Sequence, residues 1–169
     1  VAFAQALTGL TPATTYYFCA IASSSIGTTL GEVLSFTTPP TQPAVTTLAA
    51  TAVDVTSATL EGSANPNGAT STGWFRYAAT HPGTCNDSFG PRAPASGGTS
   101  VGAGTTPVSF SQPLTGLTTA TTYYYCAIAS NGIGTSLGVV MQLTTAAAPT
   151  VTTTAASGVG SSTATLNGS

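Results

Sequence analysis

The stretch that decides the fold of this chain is Thr121-Thr122-Tyr123-Tyr124-Tyr125-Cys126-Ala127-Ile128-Ala129-Ser130. It has an earlier copy, Thr14-Thr15-Tyr16-Tyr17-Phe18-Cys19-Ala20-Ile21-Ala22-Ser23. The second cysteine lies 107 residues after the first, and this period is the size of a small domain rather than of a solenoid repeat. The chain is therefore predicted to be a window of a tandem array of similar domains.

The repeat divides the chain into five parts. Residues 58–63 return as residues 164–169 with one substitution, at an offset of 106 residues. The register of both repeated segments predicts one complete domain flanked by parts of two others. These parts are the end of one domain at 1–38, a linker at 39–43, the complete domain at 44–145, a linker at 146–148 and the first strands of a third domain at 149–169. Short linkers, the first of them rich in proline, favour a rod over loosely tethered domains.

Charged residues are scarce, and this excludes several classes of partner. The chain has 2 basic residues and 4 acidic residues, with a formal net charge of −2. A nucleic-acid-binding protein needs several cations to displace counterions, and attachment to an anionic membrane surface needs them too. No apolar run is long enough to insert into a membrane. Low net charge favours association with neighbouring copies, in series and also laterally between chains.

The pattern of apolar residues and turn residues predicts an all-β domain. Short alternating segments are separated by glycine, proline and asparagine, which favours strands joined by turns. Six or seven strands in about a hundred residues are typical of a two-sheet sandwich. The predicted strands are 45–53, 56–63, 72–78, 106–114, 121–130 and 136–144, and a long loop with at most one short edge strand is predicted at 79–105.

Several motifs resemble those of a known family of β-sandwiches. Leu117 lies six residues before Tyr123, which is followed by small alternating residues and by Asn131 and Gly134. The same leucine-to-tyrosine spacing links Leu10 to Tyr16. This pattern resembles the corner and sixth strand of fibronectin type III domains. The segments at 57–60 and 65–68, followed by Phe75 and Tyr77, resemble the bacterial branch of that family. The resemblance implies tandem antiparallel sandwiches and leaves function open, because this fold has many roles.

The three cysteines predict one disulfide inside the complete domain. Cys85 and Cys126 both lie within 44–145, and Cys19 is the repeat equivalent of Cys126. The partner of Cys19 would then precede residue 1, which accounts for the odd count without a reactive thiol. Two free cysteines are the alternative, whereas the spacing is wrong for a metal site. A stable disulfide implies an oxidising compartment and hence an extracellular or cell-surface location.

Strand alternation leaves two orientations open for Cys126. If Tyr123 faces the main core, Cys126 points to the outer face of its sheet, and the segment after the third strand must fold over it. If Tyr124 faces the core instead, Cys126 points inward. The leucine-to-tyrosine spacing favours the first arrangement. Trp74, Tyr124 and Ile128 would then form an aromatic group that is a secondary core, a contact surface between domains or chains, or a platform for sugars.

No residue pattern predicts catalysis or a cofactor. His81 is the single histidine and lies in a loop, so a serine triad would have only this base. Glu61 and Asp54 could be imagined as a glycosidase pair, but their repeat equivalents are Asn167 and Gly160. The absence of lysine excludes a lysine–asparagine isopeptide crosslink. Asn86 begins a triplet that fits the N-glycosylation pattern, as does Asn167, although such triplets are common by chance.

These observations predict a non-enzymatic structural protein outside the cell. The expected role is a repeat unit of a fibre, stalk or filament, in which rigid disulfide-pinned sandwiches follow one another in series. The alternative is an adhesin or a carbohydrate-binding accessory module of a secreted protein, and glycan binding is left open. The alternative would require an exposed aromatic cluster or a loop pocket on each domain.

Overall fold

The computed structural model describes residues 2–169, and every regular element among them is a β-strand. The strands fall into three groups that follow the repeat. The first group is β1 Thr15–Phe18, β2 Ile21–Ser24, β3 Gly27–Leu30 and β4 Leu34–Thr37. The second is β5 Ala44–Thr51, β6 Ser57–Asn65, β7 Ser71–Ala78, β8 Arg92–Ala93, β9 Thr99–Gly102, β10 Val108–Thr115, β11 Thr122–Ser130, β12 Thr135–Leu137 and β13 Met141–Thr144. The third is β14 Thr153–Ser157 and β15 Thr165–Gly168.

The second group is an antiparallel two-sheet sandwich, which confirms the predicted fold class. One sheet has the order β10-β6-β5. The other has the order β12-β11-β7-β8, with β13 also paired to β11 and β9 also paired to β7. Burial alternates strictly along β6, where Ala58, Leu60 and Ala64 face the core and their neighbours are only partly buried. This is the period of a strand with one face on the core.

The main core lies between the two sheets and is built around Phe110. The ring of Phe110 lies 5.1 Å from that of Phe75, measured between centroids. Two glycines leave room for this pair. A Cβ at Gly62 would lie 2.9 Å from the Phe110 ring, and one at Gly73 would lie 2.8 Å from it. Glycine in the middle of a strand is otherwise unfavourable, so close packing accounts for both.

The last predicted strand of the complete domain is divided in two. A continuous strand at 136–144 was expected, whereas β12 ends at Leu137 and β13 begins at Met141. The cause is Thr47, whose buried hydroxyl accepts a hydrogen bond from the amide of Ala127 at 3.0 Å. Because this amide is bonded to Thr47 of β5, it makes no ladder bond to residues 138–140, and the strand is interrupted there. The amide of Gly138 bonds to the Ala127 carbonyl at 2.9 Å.

The segment at 79–105 also differs from its prediction, because it contains two short strands rather than at most one. Both β8 and β9 pair with β7. The flanking groups repeat parts of this sandwich: β1 pairs with β4 as β11 pairs with β13, and β2 pairs with β3 as β11 pairs with β12. The strands β14 and β15 form a hairpin like that of β5 and β6.

Candidate functional site

The outer face of β11 carries a second hydrophobic cluster, anchored by a disulfide. Cys85 and Cys126 are joined, with their Cα atoms 6.0 Å apart. Cys126 and Ile128 are fully buried, and Trp74 is 8% exposed. Phe89 packs against them. Because both faces of β11 are covered, its central residues are buried without alternation.

Polar bonds hold residues 79–105, the covering segment, in place beside this cluster. The carboxylate of Asp87 accepts hydrogen bonds from Trp74 Nε1 and from Arg76 Nε, each at 2.8 Å. The guanidinium of Arg92 lies 4.5 Å from the centre of the Trp74 ring, in a cation–π arrangement. Trp74 is thus held at its edge by a carboxylate and on its face by a cation.

The environment of Asp87 lowers the pKa of its carboxyl group. Partial burial by itself raises that pKa, because it disfavours the charged form. The hydrogen bonds from Arg76 and Trp74, together with the charges of Arg76 and Arg92, outweigh burial and lower the pKa below its ordinary value. The ionised form of Asp87 is therefore the one that suits the folded domain.

The three residues proposed as an aromatic group separate into two environments. Trp74 and Ile128 belong to a secondary core under the covering segment, so the contact-surface and sugar-platform alternatives do not apply to them. Tyr124 is half-buried, and the ring of His81 meets it edge-on at 4.6 Å. These two rings border an open depression of about 450 Å³, whose other wall is formed by residues 140–142.

The titratable residues considered for catalysis are each engaged locally. Glu61 accepts a hydrogen bond from the hydroxyl of Thr51 at 2.9 Å. Asp54 accepts one from the amide of Val55 at 2.7 Å, and His81 Nδ1 accepts one from the amide of Gly83. Within residues 2–169 there is no group of three or more His, Cys, Asp and Glu that could hold a metal ion.

Asn86, the candidate glycosylation residue, is half-buried in the covering segment, next to the exposed residues Asp87 and Ser88. Its side-chain oxygen accepts hydrogen bonds from the amide of Ser88 at 3.0 Å and from the Ser88 hydroxyl at 2.7 Å. Its amide nitrogen donates to the carbonyl of Thr84 at 3.3 Å. Both ends of the Asn86 side chain are therefore engaged in local hydrogen bonds, and its modification stays a prediction.

The corner before β11 identifies Tyr123 as the residue that faces the main core. Its hydroxyl accepts a hydrogen bond from the amide of Thr118 at 3.0 Å, and its ring packs against the core. The first copy has the same bond, from the amide of Thr11 to the hydroxyl of Tyr16, at 2.8 Å. The first of the two orientations given for Cys126 is therefore the one that the structure has.

Each corner is also tied to the residue just before the linker that follows, a threonine that the sequence did not single out. The hydroxyl of Thr145 donates to the carbonyl of Thr118 at 2.7 Å and accepts from the amide of Thr121 at 3.0 Å. In the first copy, the hydroxyl of Thr38 donates to the carbonyl of Thr11 at 2.6 Å and accepts from the amide of Thr14 at 3.0 Å. The signal in the sequence was the double threonine that ends both repeats.

The first copy exposes residues whose equivalents are buried in the complete domain. Phe18 is 49% exposed and its equivalent Tyr125 is fully buried, while Phe36 is 37% exposed and its equivalent Leu143 only 6%. Phe18 and Phe36 line a wide apolar depression of about 880 Å³, together with Phe3. Cys19 is exposed and makes no disulfide with a described residue.

No protein-family profile and no curated protein matches the chain. Among solved structures, the sensor domain of the anti-sigma factor RsgI4 of Pseudobacteroides cellulosolvens is 17% identical, with a TM-score of 0.41; the match covers 64% of this chain and 93% of that chain. The FN1–FN3 domains of chicken CNTN1 are 17% identical, with a TM-score of 0.37, 82% of this chain covered and 45% of that one. Domains d3–d4 of the rat CD45 extracellular region are 16% identical, with a TM-score of 0.38 and coverages of 85% and 70%. In residues 2–169, no helix is long and apolar enough to span a membrane.

Proposed function

We propose that this chain is part of an exported bacterial protein in which fibronectin-III-like sandwiches follow one another as the structural repeat of a fibre, stalk or filament. In this proposal residues 44–145 are a complete domain, residues 1–38 are the end of the preceding one, and residues 149–169 begin the next. The domains have no catalytic role and hold no cofactor. Their task is to span distance and to resist unfolding.

The observation that carries this proposal is the disulfide between Cys85 and Cys126. It fastens the covering segment to the central strand of a sheet, over a buried tryptophan. Structural disulfides form and persist in oxidising compartments, so the bond supports export. A bond between positions 41 apart also keeps the chain between them from extending under load, which suits a mechanical role.

The serial arrangement is supported by the two corner-and-linker units. Thr38 and Thr145 make matching hydrogen bonds to their corners, so the exit from each sandwich is built in the same way. The exposed apolar face formed by Phe18 and Phe36 is the face that other strands cover in the complete domain. We infer that the remaining strands of a preceding domain cover it in the array.

The alternative role is an adhesin or a carbohydrate-binding module. Trp74 does not support it, because its indole is buried and already bonded to Asp87. The depression beside His81 and Tyr124 is the aromatic surface left for this role. Replacing Tyr124 with alanine would abolish glycan binding under the adhesin hypothesis, and a glycan array without hits for the unmodified protein would contradict that hypothesis.

The proposal is tested by locating the protein on intact cells of its native source. Antibodies raised against residues 44–145 should label continuous appendages or a surface layer in immunogold electron microscopy without permeabilisation. An antibody against a cytosolic protein provides the control for cell integrity. Labelling that appears only after permeabilisation would contradict export, and with it the structural role.

A further inference from the structure

We infer that the corner of one repeat and two turns of the next form a specific docking surface, whose partner at each joint is a further copy of the same repeat. The corner is centred on Ala13, and the turns are the segment at 65–68 and the turn that begins at Asn131. This inference rests on the serial arrangement in the proposed function and adds the residues that set its geometry.

At the joint between the first copy and the complete domain, Ala13 packs directly against Gly68. Ala13 has a φ of 50° and Gly68 a φ of 88°. A Cβ at Gly68 would lie 1.9 Å from the Cβ of Ala13 and 3.4 Å from that of Pro40. Only glycine fits this position, for both its φ and its contact with the preceding repeat.

Three hydrogen bonds cross between the linker and the turns of the complete domain. The amide of Thr41 donates to the carbonyl of Asn67 at 3.2 Å. Asn67 Nδ2 donates to the carbonyl of Gln42 at 2.9 Å. Asn131 Nδ2 donates to the carbonyl of Thr41 at 2.9 Å. The linker is held on both sides by neutral amides, so the joint has a fixed geometry that depends little on salt.

The complete domain presents the same corner at its other end. Ala120 has a φ of 48°, close to that of Ala13. Its amide donates to the carbonyl of Ala146 at 3.1 Å, as the amide of Ala13 donates to that of Pro39 at 3.3 Å. Ala13 is partly buried against the turn, whereas Ala120 is exposed. The surface at Ala120 is therefore preformed, and its occupant is the corresponding turn of another repeat.

The experiment compares the same substitution at the two corners of the full chain. Asparagine tolerates a positive φ, so Ala13→Asn and Ala120→Asn add atoms without adding backbone strain. Only Ala13→Asn crowds Gly68. The readout is the hydrogen-exchange rate of the Thr41 amide, measured by NMR. We expect Ala13→Asn to accelerate this exchange by about fivefold or more, as for loss of a typical hydrogen bond, and Ala120→Asn to leave it unchanged.

A second variant tests the joint without changing its steric fit. Asn131→Asp keeps the oxygen that accepts from Ile133 and Gly134 and removes the donor to Thr41. In the unmodified chain, the residual dipolar couplings of β1 and β4 should fit the alignment tensor of the complete sandwich. In Asn131→Asp they should no longer fit it.

Unchanged Thr41 exchange in Ala13→Asn would overturn the docking inference, and so would a single shared tensor in Asn131→Asp. Neither measurement depends on where the protein is located. Failure of the surface labelling would contradict the proposed function alone, whereas failure of these two measurements would contradict the joint alone.

Discussion

Removal of the disulfide by the double substitution Cys85→Ala and Cys126→Ala should destabilise the complete domain strongly. The bond closes a loop between positions 41 residues apart. The chain-entropy relation for a loop of this length predicts a loss of about 4 kcal/mol from the free energy of unfolding. Small domains have a total of about 5–15 kcal/mol, so the variant should be only marginally folded at room temperature.

The assay is urea unfolding followed by the fluorescence of Trp74, the only tryptophan in the chain. Trp74 lies in the cluster that the disulfide anchors, so its emission reports on the covering segment directly. With a typical slope for a small domain, the loss corresponds to a midpoint lower by roughly 2 M urea. The unmodified protein in a reducing agent should behave like the variant.

The same bond gives a mechanical signature in single-molecule stretching. Reduction should lengthen the extended domain by roughly 140 Å, because the chain between the two cysteines, which are 41 positions apart, becomes free to extend. A stability loss below about 1 kcal/mol, well under the chain-entropy value, would refute the reasoning. An unchanged contour length after reduction would refute it as well.

Three further substitutions test particular contacts. Gly62→Ala should reduce the free energy of unfolding by about 1–3 kcal/mol in urea titrations, because its Cβ meets the Phe110 ring. Tyr123→Phe should reduce it by about 1 kcal/mol through loss of the hydrogen bond from Thr118. Asp87→Asn should lower stability at neutral pH and flatten its acid dependence. The folded-state pKa of Asp87 lies below its ordinary value, so its contribution is present at neutral pH and is lost as the pH falls through that pKa.

Two of these variants have a matched control in the chain. Gly132→Ala is the control for Gly62→Ala, because Gly132 also has no positive φ but its added Cβ would lie in open space, so the comparison isolates the effect of crowding. Tyr124→Phe removes a hydroxyl from the neighbouring residue, which makes no corner bond. Equal losses in Tyr123→Phe and Tyr124→Phe would contradict the corner assignment. A variant Asp87→Asn with the acid sensitivity of the unmodified protein would contradict the role of that carboxylate.

Local patterns were sufficient to predict the sheets and the corner. The alternation of Ala58 and Leu60 along β6 indicated which face was buried, and the spacing from Leu117 to Tyr123 indicated the corner. These features depend on residues close together in sequence. The repeat gave a second copy of several elements to compare, and most of the predicted strand ends lie close to the observed ones.

Features that depend on distant residues were not predicted. The division of the last strand requires Thr47 to reach Ala127 from the other sheet, and no local pattern records this. The positive φ of Ala13 and Ala120 was not predicted either, because alanine rarely adopts it. The burial of Trp74 in a secondary core was one of the predicted alternatives, whereas its hydrogen bond to Asp87 was not predicted.

The central claim is that the sandwich is held closed by an oxidised Cys85–Cys126 bond in the protein as it exists outside the cell. Its most direct test is tryptic mapping of unreduced protein taken from the cell surface. Trypsin has only two sites, after Arg76 and Arg92, because the chain lacks lysine. The account predicts that peptide 77–92, which carries Cys85, is released only after reduction, from a fragment that contains Cys126. Free release of that peptide with an alkylated Cys85, before any reductant is added, would contradict the account.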